Sequence, residues 1–138
     1  MSVVELDRNG LAVLEREECI ALLGSATVGR IAITSNALPV VLPVNFVLLD
    51  DRIVIRTSRG TKLDAATRNT VVAFEVDEID RVEQTGWSVL VTGVARELVA
   101  PDEIDEVSAS PPARWAPGPD GRYIAISTDM ISGRRILA

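Results

Sequence analysis

From Thr27 to Leu98 the chain is nearly continuous β-type sequence, and this stretch limits its fold more than any other feature. Thr27 to Thr34 reads as a strand with Val28, Ile31 and Ile33 apolar. Leu38 to Leu49 is a longer β-rich run, Arg52 to Arg56 is a return strand, and Thr70 to Val76 is β-branched. Trp87 to Leu98 is a further long strand. Ser35-Asn36-Ala37 and Asp50-Asp51 have the composition of tight turns. Pro39 and Pro43 place the second run at an edge, a bulge or a register change, because proline donates nothing to a ladder. Gly93 marks a bulge or a sharp bend in the last run. Residues 77–85 read as an acidic, solvated loop.

The flanks add little helix. Residues 1–10 read as a frayed start. Leu14 to Leu23 is a short amphipathic helix, with Cys19 on its apolar face as inert core, and Gly24 stops it. Pro101 to Val107 is one or two helical turns, with proline near the start. Residues 108–121 are proline-rich and irregular and hold Trp115, a loop anchor or a lid. Tyr123 to Ser127 and Ile131 to Leu137 are two final strands. The expectation is one domain over 1–138: mainly β, a closed barrel of six to seven antiparallel strands with two or three short helices, not a doubly wound sheet.

Composition excludes whole mechanisms. A hydrophobic fraction of 47% supports a core without disulfides. The net charge of -6 argues against nucleic acid as a partner. With Cys19 the only cysteine, no internal disulfide is possible, and a reducing, cytoplasmic setting is expected. No leader pattern is evident at the N-terminus, and no apolar stretch reaches the ~18 residues a membrane helix needs. There is no histidine, so serine–histidine and cysteine–histidine nucleophiles, the usual zinc sites and histidine-ligated haem are out. If the protein is an enzyme, a cofactor carries its reaction.

One segment runs against the overall charge. Lys62 is the only lysine, and it ends Arg56-Thr57-Ser58-Arg59-Gly60-Thr61-Lys62. Three cations at spacing three, three hydroxyls and a glycine lie between an apolar strand and a short helical pattern, 61–68. Strand, polar turn and helix N-terminus together suit an anion. The same residues also fit an ordinary turn, capped by Thr61 or Ser58 with solvated cations. The segment is not a P-loop, since Thr61 separates Gly60 from Lys62, and no G-x-G-x-x-G occurs.

Four segments, in this order and spacing, carry a resemblance: Val28-Gly29-Arg30-Ile31; Leu42-Pro43-Val44-Asn45-Phe46; Arg56 to Leu63; and Gly86-Trp87-Ser88-Val89 leading into Val91-Thr92-Gly93. The tail Ile131-Ser132-Gly133-Arg134-Arg135-Ile136 adds to it. Over residues 12–137 the chain resembles the flavin-binding split barrels related to pyridoxamine 5′-phosphate oxidase, above all their small actinobacterial-type members. The resemblance implies a homodimer with two cofactor sites at its interface. It implies that Arg56, Thr57, Ser58 and Lys62 hold the cofactor phosphate, that Pro43, Val44 and Asn45 run under the isoalloxazine ring, and that Trp87 and Ser88 reach across from the partner. The cofactor implied is FMN, with the deazaflavin coenzyme F-420 as alternative. The activity implied is hydride transfer to a small planar substrate; a non-catalytic carrier or sensor is the alternative. The chain departs from the true oxidase in lacking extended C-terminal substrate-binding elements, so the vitamin reaction is not expected. Trp87 has a second reading as core packing, and only one of Arg134 and Arg135 can face a given side of a strand. Without histidine, the rate is expected to vary little between about pH 6 and 8.

Overall fold

The computed structural model describes residues 3–113 and 121–137. Among these the order is β1 (Ala12–Leu14), α1 (Arg16–Gly24), β2 (Val28–Ser35), β3 (Leu38–Asn45), β4 (Val47–Leu49), β5 (Arg52–Ser58), α2 (Lys62–Ala66), β6 (Thr70–Asp80), β7 (Thr85–Glu97), α3 (Pro101–Ala109), β8 (Gly121–Ile126) and β9 (Met130–Ile136). The fold is mainly β and antiparallel, as expected, but with nine strands instead of six or seven. The additions are β1, which pairs with β9, and β4, which is cut from β3 at Phe46. Trp115 lies outside the described residues.

The strands follow the order β3-β2-β6-β7-β8-β5-β4. The two ends of this path are consecutive in sequence. Phe46 turns its N–H away to the Thr27 carbonyl at 3.0 Å. One segment, 38–49, thus pairs with β2 by its first part and with β5 by its last. The sheet curls until it meets itself there, so the seam is closed by chain and not by a continuous ladder. Pro39 and Pro43 sit in β3, which pairs with β2 alone, so their missing donors cost no ladder bond.

A second departure from a simple barrel lies in β7. It pairs with β9 over Gly86 to Thr92 and with β8 over Ala95 to Glu97. Gly93 sits where the neighbour changes. It is not a bulge, because the β6–β7 register runs unbroken through Val72↔Gly93. A Cβ at Gly93 would lie 2.2 Å from the carbonyl oxygen of Ser127, so the approach of that backbone requires glycine.

Local chemistry explains the elements. Asn36-Ala37 and Asp50-Asp51 all have positive φ, from 49° to 64°, as two-residue hairpins demand. The expected acidic loop is largely strand. Phe74 and Val76 are buried and carry β6 on to Asp80, while Glu75 and Asp77 take the outward positions between them. Only 81–84 turns, and the Asp80 carboxylate accepts from Val82 and Glu83 N–H at 3.0 Å each. Within the described start, Asp7 holds a turn. Asp7 accepts from Asn9 and Leu11 N–H and pairs with Arg134 at 3.0 Å.

The core fills the curl. Phe46 and Phe74 meet edge to face, with centroids 5.0 Å apart at 73°. Cys19 and Leu23 of α1 are fully buried against it, and burial pushes the Cys19 thiol up, which suits inert core. No helix among the described residues is long and apolar enough to cross a membrane.

On the outer face, Arg30 of β2 holds Glu75 at 3.3 Å and Asp77 at 2.9 Å. Burial, then the neighbouring Asp77, pushes the Glu75 carboxyl up to about 7 from 4.5. A carboxyl raised on folding binds its proton more tightly in the folded chain. Its contribution to stability is therefore complete below 4.5 and is lost as pH rises toward about 7. Urea midpoints should fall between about pH 5 and about pH 8, and Glu75→Gln should flatten that fall. An unchanged slope in the variant would assign the dependence elsewhere.

Candidate functional site

The cationic segment occupies the end of β5, a turn and the start of α2. Alternation along the strand divides its residues. Arg56 and Ser58 share the outer side; Thr57 faces inward and is 2% exposed. β8 frames them: Arg56 pairs with Tyr123, Thr57 with Arg122 and Ser58 with Gly121. The Arg56 guanidinium lies over the Tyr123 ring, 5.7 Å from its centroid. Gly60 turns the chain with φ +82°. Thr61 is the N-cap of α2, its hydroxyl accepting from Asp64 N–H at 3.1 Å.

α2 has only five residues, so few peptide dipoles align and the helix adds little field. The Gly60 N–H is already committed, to Asp64 Oδ2 at 2.9 Å. What the turn offers an anion is chiefly side-chain charge. Arg59 and Lys62 are exposed and Arg56 is half-buried. Among the described residues no carboxylate lies within ion-pair distance of any of the three, whereas nearby Arg68 and Arg122 are paired.

Asp64 was missed as anything but a helix residue. It is 3% exposed. Its carboxylate accepts from Gly60 N–H, Arg122 Nε, Arg68 at 3.3 Å and the Thr57 hydroxyl at 3.4 Å. The Gly60 N–H, then Arg122 and Arg68, hold its carboxyl down to about 2 against the opposing push of burial. The signal that could have found it is Thr61-x-x-Asp64, the spacing of a capping box, with the acid reaching one residue further back than usual.

The other candidates divide into two groups. β3 approaches β5. Val47, two residues after β3 ends at Asn45, pairs with Val54 of β5. Val44 and Asn45 are half-buried and Pro43 is exposed. The end of β3 and strand β5 thus meet at the seam where the chain crosses from β2 to β5. Trp87 and Ser88 are elsewhere. Asn45 pairs with Val28 of β2, β2 pairs with β6 up to Arg30↔Glu75, and two residues on Asp77 of β6 pairs with Ser88. Three strand spacings separate Asn45 from Ser88, about 14 Å around the sheet. Trp87 is 8% exposed and belongs to the main core, in line with its packing role. It also lines a groove of about 680 Å³ with Arg81 and Arg135. Arg134 and Arg135 face opposite sides as expected: Arg134 pairs with Asp7, while Arg135 stands opposite Trp87 with Glu18 3.9 Å away.

Residues 15–135 match the family described as pyridoxamine 5′-phosphate oxidase. An uncharacterised protein of Mycobacterium tuberculosis is 35% identical over 130 residues, covering 91% of this chain and 85% of that protein. The FAD binding protein from Mycobacterium smegmatis is 34% identical, with a TM-score of 0.80 over 91% of this chain and 99% of its own. An FAD-binding protein from Mesorhizobium loti is 22% identical with a TM-score of 0.73 over 92% and 99%, a likeness of fold alone. A forked, curled antiparallel sheet and a family match across nearly its whole length place this chain in the pyridoxamine 5′-phosphate oxidase family of split-barrel proteins.

Proposed function

We propose that the protein is a flavin-dependent oxidoreductase that holds the cofactor phosphate on the turn after β5. Arg56, Ser58 and Lys62 are the direct partners, and Thr57 supports them from the inner side. The observation that carries this reading is the set of three cations, Arg56, Arg59 and Lys62, that have no carboxylate at ion-pair distance among the described residues, in a chain of net charge -6. Arg56 offers a fork to phosphate oxygens and Lys62 a compact charge. Pro43, Val44 and Asn45, at the end of β3 where it meets β5, form the edge on which the ring lies.

Trp87 and Ser88 are too far around the sheet to join that site in one chain. Their distance favours a homodimer in which a second copy supplies them. Val28, Val41 and Leu90, exposed on the outer face, give such a dimer apolar surface to bury. The bound flavin supplies hydride chemistry. The chain holds the phosphate, orients the ring and excludes water, and a small planar substrate stacks on the exposed ring face. No side chain serves as an obligatory acid or base. The raised carboxyl of Glu75 belongs to the outer face, beside Arg30 and not beside the turn.

FMN is the cofactor this reading favours. The phosphate of a deazaflavin would meet the same cations, and the M. smegmatis relative binds FAD. The test is direct. Purified protein should be yellow and dimeric by light scattering, and its denatured extract should run with one of FMN, FAD or deazaflavin on chromatography. A colourless protein that takes up none of the three defeats the reading. A carrier or sensor without turnover is the second reading, favoured by the lack of histidine. Reduction by a nicotinamide nucleotide followed by reoxidation by an acceptor separates the two.

A further inference from the structure

We propose that Asp64 is the positioning residue of the anion-binding turn: its buried carboxylate gathers Thr57, Gly60, Arg68 and Arg122, and so fixes where Arg56, Ser58 and Lys62 present themselves. The proposal rests on the flavin reading above and deepens it. A carboxylate has about four lone-pair sites. Here four donors fill them: the Thr57 hydroxyl, the Gly60 N–H, Arg68, and Arg122 Nε. Asp64 is therefore saturated by its own chain, and Arg68 and Arg122 offset its charge toward a ligand.

Its four donors come from every part of the site's frame. Thr57 belongs to β5, between Arg56 and Ser58. Gly60 is the apex of the turn. Arg68 follows α2, and Arg122 stands on β8 opposite Thr57. One oxygen pair thus joins the strand, the turn, the helix end and the neighbouring strand. Arg122 is held from two further directions, by Glu97 at 2.9 Å and by the Asp64 carbonyl at 2.9 Å.

Charge makes the same division. Asp64 and Glu97 balance Arg68 and Arg122, two acids against two bases. Among the described residues that leaves Arg56, Arg59 and Lys62 without an acid partner and open to an outside anion. Were Asp64 neutral, the buried Arg122 would keep only Glu97 as a charged partner, and the Gly60 N–H would lose an ionised acceptor. The turn would relax, and the cations would no longer converge.

The test compares flavin mononucleotide with riboflavin, which differs by lacking the phosphate. Wild-type protein and Asp64→Asn, both stripped of cofactor, are titrated with each. The wild type should prefer the mononucleotide. Asp64→Asn should bind it at least tenfold more weakly and bind riboflavin as before. A structural role alone would weaken both ligands together, and that result overturns the proposal. Equal binding of the mononucleotide by variant and wild type also overturns it. A wild type that does not distinguish the two ligands removes the phosphate reading itself. If Asp64→Asn does not fold, Thr57→Val decides. It deletes one donor at constant shape, and a selective loss of mononucleotide binding of about threefold supports the role, while no loss rejects it.

Discussion

Replacing Arg56 and Lys62 together by alanine should weaken binding of flavin mononucleotide at least a hundredfold. A hydrogen bond to a charged group contributes about 1.5–3 kcal/mol, so two such losses amount to roughly 3–6 kcal/mol. At about 1.4 kcal/mol per tenfold change, this spans roughly two to four decades. Stability should change little, because neither residue has an ion-pair partner among the described residues to leave stranded. Lys62→Arg alone should give a smaller loss, since a planar fork replaces a compact charge in a confined turn. Titration calorimetry with the apoprotein measures both. A double variant that binds like the wild type would put the phosphate elsewhere.

The second large effect concerns the fold. Gly93→Ala should cost about 3 kcal/mol, at the upper end of ordinary overpacking. The obstacle is the Ser127 carbonyl oxygen at 2.2 Å, with the Ser127 side chain at 2.7 Å. Backbone cannot swing aside as a flexible side chain can. Ser127 is also tied to β7, its N–H donating to the Val94 carbonyl at 3.4 Å. A new methyl would push β8 away just where it joins β7. The melting temperature should fall by roughly 10 °C. A loss of under 2 °C would mean that the strands part there without penalty, contrary to the close approach described.

The β character of this chain was legible because its signals are local. Asn36-Ala37 and Asp50-Asp51 announce hairpins through residues that tolerate positive φ, and both turns form. Pro39 and Pro43 announce an end of the sheet, and β3 is one. The fork at Gly93 was not legible as such, because the requirement comes from Ser127, thirty-four positions away in sequence. The acidic end of β6 was not legible because residues 77–80 carry no buried alternation and are strand only through their pairing with 85–88 of β7. Asp7 was lost among ten residues without a hydrophobic period, although one aspartate suffices to hold a turn.

The candidate site could be read in part for the same reason. Three cations at spacing three stand out by composition, and they lie on one turn. Their inner support does not stand out, since Asp64 looks like any acid in a first helical turn. Only the pairing of Thr57 with Arg122 shows that this acid faces a buried arginine. The separation of Trp87 and Ser88 from 43–45 was equally hidden. It depends on how many strands intervene, and that is a property of the sheet order.

The place of β8 between β5 and β7 has a consequence for how the chain assembles. The pairs β2–β3, β4–β5 and β6–β7 are each joined by a tight turn and can zip early. β8 meets β5 across more than sixty residues, so loop entropy is spent before that contact returns anything. Yet β8 carries Gly121, Arg122 and Tyr123, the frame of the turn proposed to hold the phosphate. A nascent chain would therefore possess its cations long before it possesses the surface that aims them. Any nucleotide gripping that turn would recognise the finished ladder, and would add its binding free energy to a pairing that closes a long loop.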